Sequence, residues 1–126
     1  MISKCKAWDK VNKEMLKVVS INFEEKFIRG LSEIESNLDI ESSYNFDDVE
    51  LLQSAGLTDY HYDEYFEGDI ALDVTSEEIG VVEYIEGAFV MRFAGGDSVD
   101  LSDVKDEFEI VGNKFEDEYL LGEDTQ

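Results

Sequence analysis

The side chains able to do chemistry in this 126-residue chain are one histidine, one cysteine and 32 carboxylates. His61 stands between Tyr60 and Tyr62, with Asp63 next. As a general base it would need a second group to orient the imidazole; as a transition-metal ligand it would need further His or Cys. The pattern offers neither, so His61 reads as a surface-loop histidine. Cys5 lies between Lys4 and Lys6, whose charges favour the thiolate slightly. A thiol enzyme also needs a positioned His and Asn, so Cys5 reads as packed against a sheet or simply exposed. Asp97, Asp100, Asp103 and Asp106 recur at three-residue steps without a central glycine, which fails the spacing of a calcium loop. Gly95-Gly96 lacks the Lys-Ser/Thr and the following helix of a phosphate loop. A hydrolase with paired carboxylates is open to any chain this acidic, but no pair stands out; an enzyme using a carboxylate-bound metal is a further reading. No catalytic residue, cofactor or metal is assigned.

The carboxylates themselves are the more informative feature. Residues 1–29 hold seven of the ten basic residues against four acids, a net of +3, while residues 30–126 hold 28 acids against Arg92, Lys105 and Lys114, a net of −25. Like charges repel in the compact state, so this imbalance adds nothing to fold stability. It excludes simple phosphate-backbone binding, which needs Lys and Arg to displace counterions. The run Asp97, Asp100, Asp103, Asp106, Glu107 would display a row of carboxylates as a turn followed by a short helical or extended segment. In a strand, alternate residues lie about 6.6 Å apart on one face, comparable with the spacing of neighbouring phosphates along a nucleic-acid strand. The bland reading is a solvated surface. Tyr60, Tyr62, Tyr65 and Phe66 cluster in a loop among further acids, and Tyr is favoured at interface centres with a polar rim around it. The contact set expected for a partner is Asp59, Tyr60, Tyr62, Asp63, Glu64, Glu67, Asp69, Asp97, Asp100, Asp103, Asp106 and Glu107.

These residues need a scaffold, and the composition supplies one. Hydrophobic residues are 43% and aromatics 12%, and acidic disordered chains lack both aromatics and β-branched residues. The length suits one domain with a real core. A lone cysteine implies no disulfide, and no leader or apolar run near ~18 residues is seen, so the cytosol is the expected location. Asp9 to Lys13 reads as the turn of an opening hairpin, followed by the alternation Val19, Ile21, Phe23. Phe27, Leu31, Ile34 and Leu38 fit one helical stripe, which predicts a short helix over about 31–38, though Gly30 weakens it. Further strands are predicted around Val49–Gln53, Ile70–Val74, Ile79–Ile85, Ala88–Phe93 and Phe108–Val111, with turns at Glu67-Gly68, Ser76–Glu78, Glu86-Gly87 and Gly95–Asp97. The resulting class is α+β, mainly β: an N-terminal hairpin plus one helix (1–45), then a β-rich region (46–121) forming an SH3-like barrel or a curled antiparallel sheet, then a loose tail (122–126).

Three stretches resemble the YopX family of small phage and prophage proteins. Lys6-Ala7-Trp8-Asp9 with Asn12-Lys13 and Met15 is similar to its opening R-A-W-D…N-K-x-M. Gly56-Leu57-Thr58-Asp59 through Glu67-Gly68-Asp69-Ile70 is similar to its G-L-x-D…E-G-D-[IV]. The closing strands Gly80–Tyr84, Phe89–Phe93, Ile110–Asn113 and Phe115-Glu116 are similar as well. Residues 24–45 show no clear match. The resemblance implies a mixed α+β fold, a tendency toward oligomers and no known activity. Where the family has a K-N-G-K turn, this chain has Tyr60-His61-Tyr62-Asp63, which removes the Asn-Gly turn and puts the hairpin there in doubt.

The function expected from these readings is non-enzymatic. The chain would be an acidic phage accessory protein binding a host protein with a basic nucleic-acid groove, such as a CRISPR or other defence nuclease, and would touch neither nucleic acid nor membrane directly. The alternative is a self-assembling structural or regulatory module whose acidity serves only solubility.

Overall fold

The computed structural model describes residues 5–32 and 41–122. The chain divides into two compact units, the first ending at Gln53 and the second beginning at Ser54.

The first unit grows from the opening hairpin. β1 (Cys5–Asp9) and β2 (Glu14–Asn22) pair antiparallel, and β3 (Phe27–Ser32), β4 (Ser42–Asn45) and the first part of β5 (Val49–Thr58) complete the order β4-β3-β2-β1-β5. Ala7, Leu16, Ile28 and Val49 form the buried centre of one face, with Val18, Ile21, Tyr44, Phe46 and Leu51 packed against them. Trp8 and Met15, cross-strand partners, are buried on the opposite face. β1 is therefore apolar on both sides and shows no simple alternation. The predicted helix is not formed where the chain is described. Phe27 and Leu31 lie in β3, paired with Asn22 and Lys17 of β2. A four-residue step is also an even step, so two residues that share a helical stripe equally share a strand face. Ile34 and Leu38 lie outside the described residues, as do residues 123–126 of the tail.

In the second unit the remainder of β5 pairs with β6 (Glu64–Phe66). A five-stranded antiparallel sheet follows, built from β7 (Asp69–Asp73), β8 (Ile79–Ile85), β9 (Ala88–Phe93), β10 (Ser98–Asp100) and β11 (Phe108–Asn113), in the order β10-β9-β8-β7-β11. The sheet is open, not a closed barrel, because β10 and β11 occupy opposite edges. The chain between them is α1 (Leu101–Val104) followed by a 3₁₀ turn at Lys105–Glu107. That segment crosses the sheet instead of letting its edges meet. Its Leu101 joins Tyr65, Ala71, Val82, Met91 and Phe108 in the core, with Val104 packed alongside. Gly80 faces this core, where an added Cβ would lie 2.6 Å from Met91 Cγ. The thioether fills the space the glycine leaves.

The loops share one device. Asp9 Oδ1 accepts the N–H groups of Val11 (2.9 Å) and Asn12 (3.1 Å), while its backbone oxygen accepts the Lys13 N–H (2.8 Å). Asp73 does the same with Thr75, Ser76 and Glu77, and Asn113 with Phe115, Glu116 and Asp117. Asn22 Oδ1 takes the Glu25 N–H, with Lys26 N–H on its backbone oxygen. A short polar side chain at the first loop position thus nucleates each turn. Lys13, Lys26 and Glu77 close three of them at φ 59°, 62° and 67°.

Two expectations follow from this packing. Gly80→Ala forces Met91 off its position and should lower stability in urea unfolding by about 1–3 kcal/mol. The Ser76 and Thr75 N–H groups hold the Asp73 carboxyl below its ordinary value of 3.8. A depressed folded value stabilises above the unfolded value and is lost as pH falls through the folded one. A carboxyl-carbon NMR titration should therefore place the Asp73 midpoint below 3.8.

Candidate functional site

The second unit carries most of the charge. From Ser54 onward there are 21 acids against Arg92, Lys105 and Lys114, a net of −18. Those bases are partly engaged close by. Arg92 Nε meets Glu83 Oε1 at 2.7 Å, Lys105 Nζ meets Asp106 Oδ1 at 3.1 Å, and Lys114 Nζ lies 5.4 Å from the Phe115 ring centroid.

The two acidic stretches predicted as one contact surface, 59–69 and 97–107, come together at their ends. The Tyr65 hydroxyl donates to Lys105 O (2.8 Å), and one residue beyond the second stretch Phe108 O accepts the Tyr60 N–H (2.9 Å). Asp59 makes the tightest tie. It is 1% exposed. Its Oδ1 accepts the N–H groups of His61 and Asp63, each at 2.8 Å, and its Oδ2 accepts that of Ile110 on β11, also at 2.8 Å. The hairpin placed in doubt by the loss of Asn-Gly is kept, with Thr58 opposite Glu64. Tyr62 takes the left-handed position at φ 69°.

The predicted residues divide by direction. Asp59 and Asp69 are buried, and Asp69 Oδ2 accepts the Phe66 N–H at 2.7 Å. These two are structural acceptors, not surface contacts, because a buried carboxylate persists only when hydrogen-bonded. Tyr65 and Phe66 are buried too, since strand alternation and the core claim them. Burial, then the charges of Asp59, Asp106 and Asp69, push the Tyr65 hydroxyl well above its usual pKa. Glu64 accepts the Ser54 hydroxyl from half-buried cover, and Glu67 is half-buried. Tyr60, Tyr62 and Asp63 face water, as do Asp97, Asp100, Asp103, Asp106 and Glu107.

The outward row follows from the inward one. Leu101, Val104 and Phe108 recur at helical spacing and sink into the core, so the acids among them must point away. From β10 to β11 the row spans four interstrand gaps, about 19 Å. Sequence reasoning missed Glu109, whose Oε1 lies 2.9 Å from His61 Nε2 and extends the acidic edge. Its alternation with Phe108 and Ile110 on one strand was the available sign. His61 is an exposed loop histidine, as predicted. Among the described residues no group of three or more His, Cys, Asp or Glu is placed to hold a metal ion. No helix there is long and apolar enough to cross a membrane. Burial raises the Cys5 thiol pKa, the direction that quiets a nucleophile.

Comparison with known proteins bears on the whole chain. A family model described as YopX protein matches residues 4–122, including the stretch 24–45 where motifs gave no match. No curated protein matches. Among solved structures the chain is similar to "protein EF1440 from Enterococcus faecalis", at 23% identity and a TM-score of 0.69, over 97% of this chain and 99% of that one. At that identity the likeness speaks for the fold alone.

The Asp59 tie is directly testable. Asp59→Ala strands three backbone N–H groups and should cost about 2–4 kcal/mol in urea unfolding. Asp59→Asn should recover only part, since its amide turns one acceptor into a donor facing a donor.

Proposed function

The chain belongs to the YopX family, and from that premise we propose that it is a non-enzymatic phage or prophage accessory protein that binds a host nucleic-acid-handling protein through its second unit. The carboxylates of Asp97, Asp100, Asp103, Asp106 and Glu107 enter a basic groove shaped for a phosphate backbone, a defence nuclease being one such receptor. The observation that carries this reading is the outward acid row held on a sheet by buried Leu101 and Phe108 and half-buried Val104. Asp97 precedes and Asp100 ends the extended strand β10, whereas Asp103, Asp106 and Glu107 follow on α1 and the 3₁₀ turn, where a three-residue step advances about 4.5–6 Å. Their positions are fixed before any partner arrives, which lowers the ordering cost of binding. Long-range attraction then speeds encounter with a cationic groove.

A second reading is a self-assembling module whose acids only keep it soluble. It is favoured by the sheet edge at β10, where Val99 is partly exposed, whereas β11 at the other edge is capped at Phe108 and Ile110 by Tyr60 and Asp59.

Affinity purification from infected or lysogenic cells separates the two. On the binding reading one specific protein is captured at moderate salt, lost at high salt and displaced by added DNA or RNA. Joint replacement of Asp97, Asp100, Asp103 and Asp106 by Asn should weaken its capture about 30-fold or more, at roughly 0.5–1 kcal/mol per charge. Capture that survives high salt with nucleic acid still bound to the partner would sink the idea. A salt-resistant oligomer in light scattering, with no partner captured, would favour assembly.

A further inference from the structure

We propose that Tyr62, with Tyr60 beside it, is a preorganised anchor for an arginine side chain on a protein partner; this deepens the acidic-surface reading and rests on it for the partner's class. Tyr62 sits at φ 69°, a region that a bulky L-residue enters only under constraint. The constraint is visible: Tyr62 N–H donates to Asp59 O (2.9 Å), Asp59 N–H to Asp63 O (2.8 Å), and the Asp59 carboxylate grips the residues on either side.

The fold takes nothing from the ring in return. Tyr62 is 85% exposed, and glycine or asparagine would meet the same backbone need at lower cost. The other non-glycine residues found at positive φ are Lys13, Lys26, Glu77 and Glu86. All four are charged and gain hydration at an exposed turn; Tyr62 exposes an apolar ring. Strain held by its surroundings at an exposed aromatic is the signature of a contact site rather than of packing.

The surroundings select the occupant. Tyr60 is 55% exposed, and its ring is set edge-on to the His61 imidazole, with centroids 5.1 Å apart at 83°. His61 in turn meets Glu109 at 2.9 Å. Exposed Asp63 follows Tyr62, and exposed Asp106 and Glu107 precede Phe108, whose carbonyl accepts the Tyr60 N–H. Aromatic faces beside carboxylates attract a cation. A guanidinium is favoured over an ammonium, because its plane stacks on a ring while its fork donates to a carboxylate.

The test titrates the full-length protein with hexa-arginine and, separately, hexa-lysine at fixed salt, following tyrosine ring resonances by NMR. Hexa-arginine should bind about three- to fivefold tighter than hexa-lysine and shift the Tyr60 and Tyr62 rings. Tyr62→Phe should keep that preference. Tyr62→Asn, which suits the left-handed backbone and should melt no lower than the parent, should abolish it. Equal binding of the two peptides, or a preference that survives Tyr62→Asn, overturns the anchor even if both bind in a salt-dependent way. If joint Asn replacement of Asp97, Asp100, Asp103 and Asp106 leaves binding unchanged while Tyr62→Asn removes the arginine preference, the acid row falls and the anchor stands. If neither peptide binds, both readings fall.

Discussion

A chain without proline must set its turns by other means, and here the constraint that organises the rest is a side-chain oxygen at the first position of a loop. Asp9, Asn22, Asp73 and Asn113 each accept backbone N–H groups two or three residues ahead, so each loop is held by its own first side chain as well as by the strands around it. Asp59 is the extreme member. Its two oxygens serve two N–H groups of its own loop and one of β11, so one carboxylate settles both a local turn and a tertiary contact. A buried carboxylate is tolerable only under such full satisfaction. Consistently, among the described residues no buried side-chain nitrogen or oxygen lacks a partner.

This use of acids divides the negative charge into two populations. Asp59 and Asp69 point inward and are tied to amides; their charge belongs to the fold. Asp97, Asp100, Asp103, Asp106 and Glu107 point outward, with Lys105 Nζ on Asp106 beside them. Self-repulsion makes such a row a cost to the compact state. The core residues Leu101, Val104 and Phe108 offset that cost by pinning the crossing segment to the sheet. The positions of Asp103, Asp106 and Glu107 are thus dictated by the apolar residues on either side of them.

Much of this was legible in the sequence where period and turn chemistry agree. Ile79–Ile85 and Ala88–Phe93 are strands with the predicted ends, separated by a Glu86-Gly87 turn in which both residues have positive φ. The hairpin at Asp9–Lys13 was legible for the same reason. The helix over 31–38 failed at its start because spacing by four cannot distinguish a helix from a strand when only two or three apolar residues carry the pattern. The sequence left a barrel and an antiparallel sheet as alternatives, because strand spacing reports how many strands exist, not whether the last returns to the first; the sheet is antiparallel and open. Leu101-Ser102-Asp103-Val104 looks polar, yet its two apolar residues steer the chain across the sheet. In the expected contact set, exposed and buried acids were indistinguishable by type. Asp59 and Asp63 differ only in that Asp59 begins a loop whose amides converge on it. Tyr62 was legible as an aromatic among acids but not as a left-handed residue, since the Asn-Gly that usually marks that conformation is absent.

The distinction between a soluble surface and a binding surface turns on rigidity more than on charge. Solubility is served by acids in any arrangement, including mobile ones, and needs no fixed spacing. A receptor groove gains most from charges and rings already held where it needs them, because ordering them afterwards would consume part of the attraction. Here the acids of the crossing segment are pegged by buried neighbours, and the Tyr60–Tyr62 loop is locked by a buried carboxylate. The loop is tied by hydrogen bonds at Tyr60–Phe108 and Asp59–Ile110 to β11, the strand into which the crossing segment runs. A surface selected only for hydration would have no use for the strain at Tyr62, and that is the physical ground for preferring a partner.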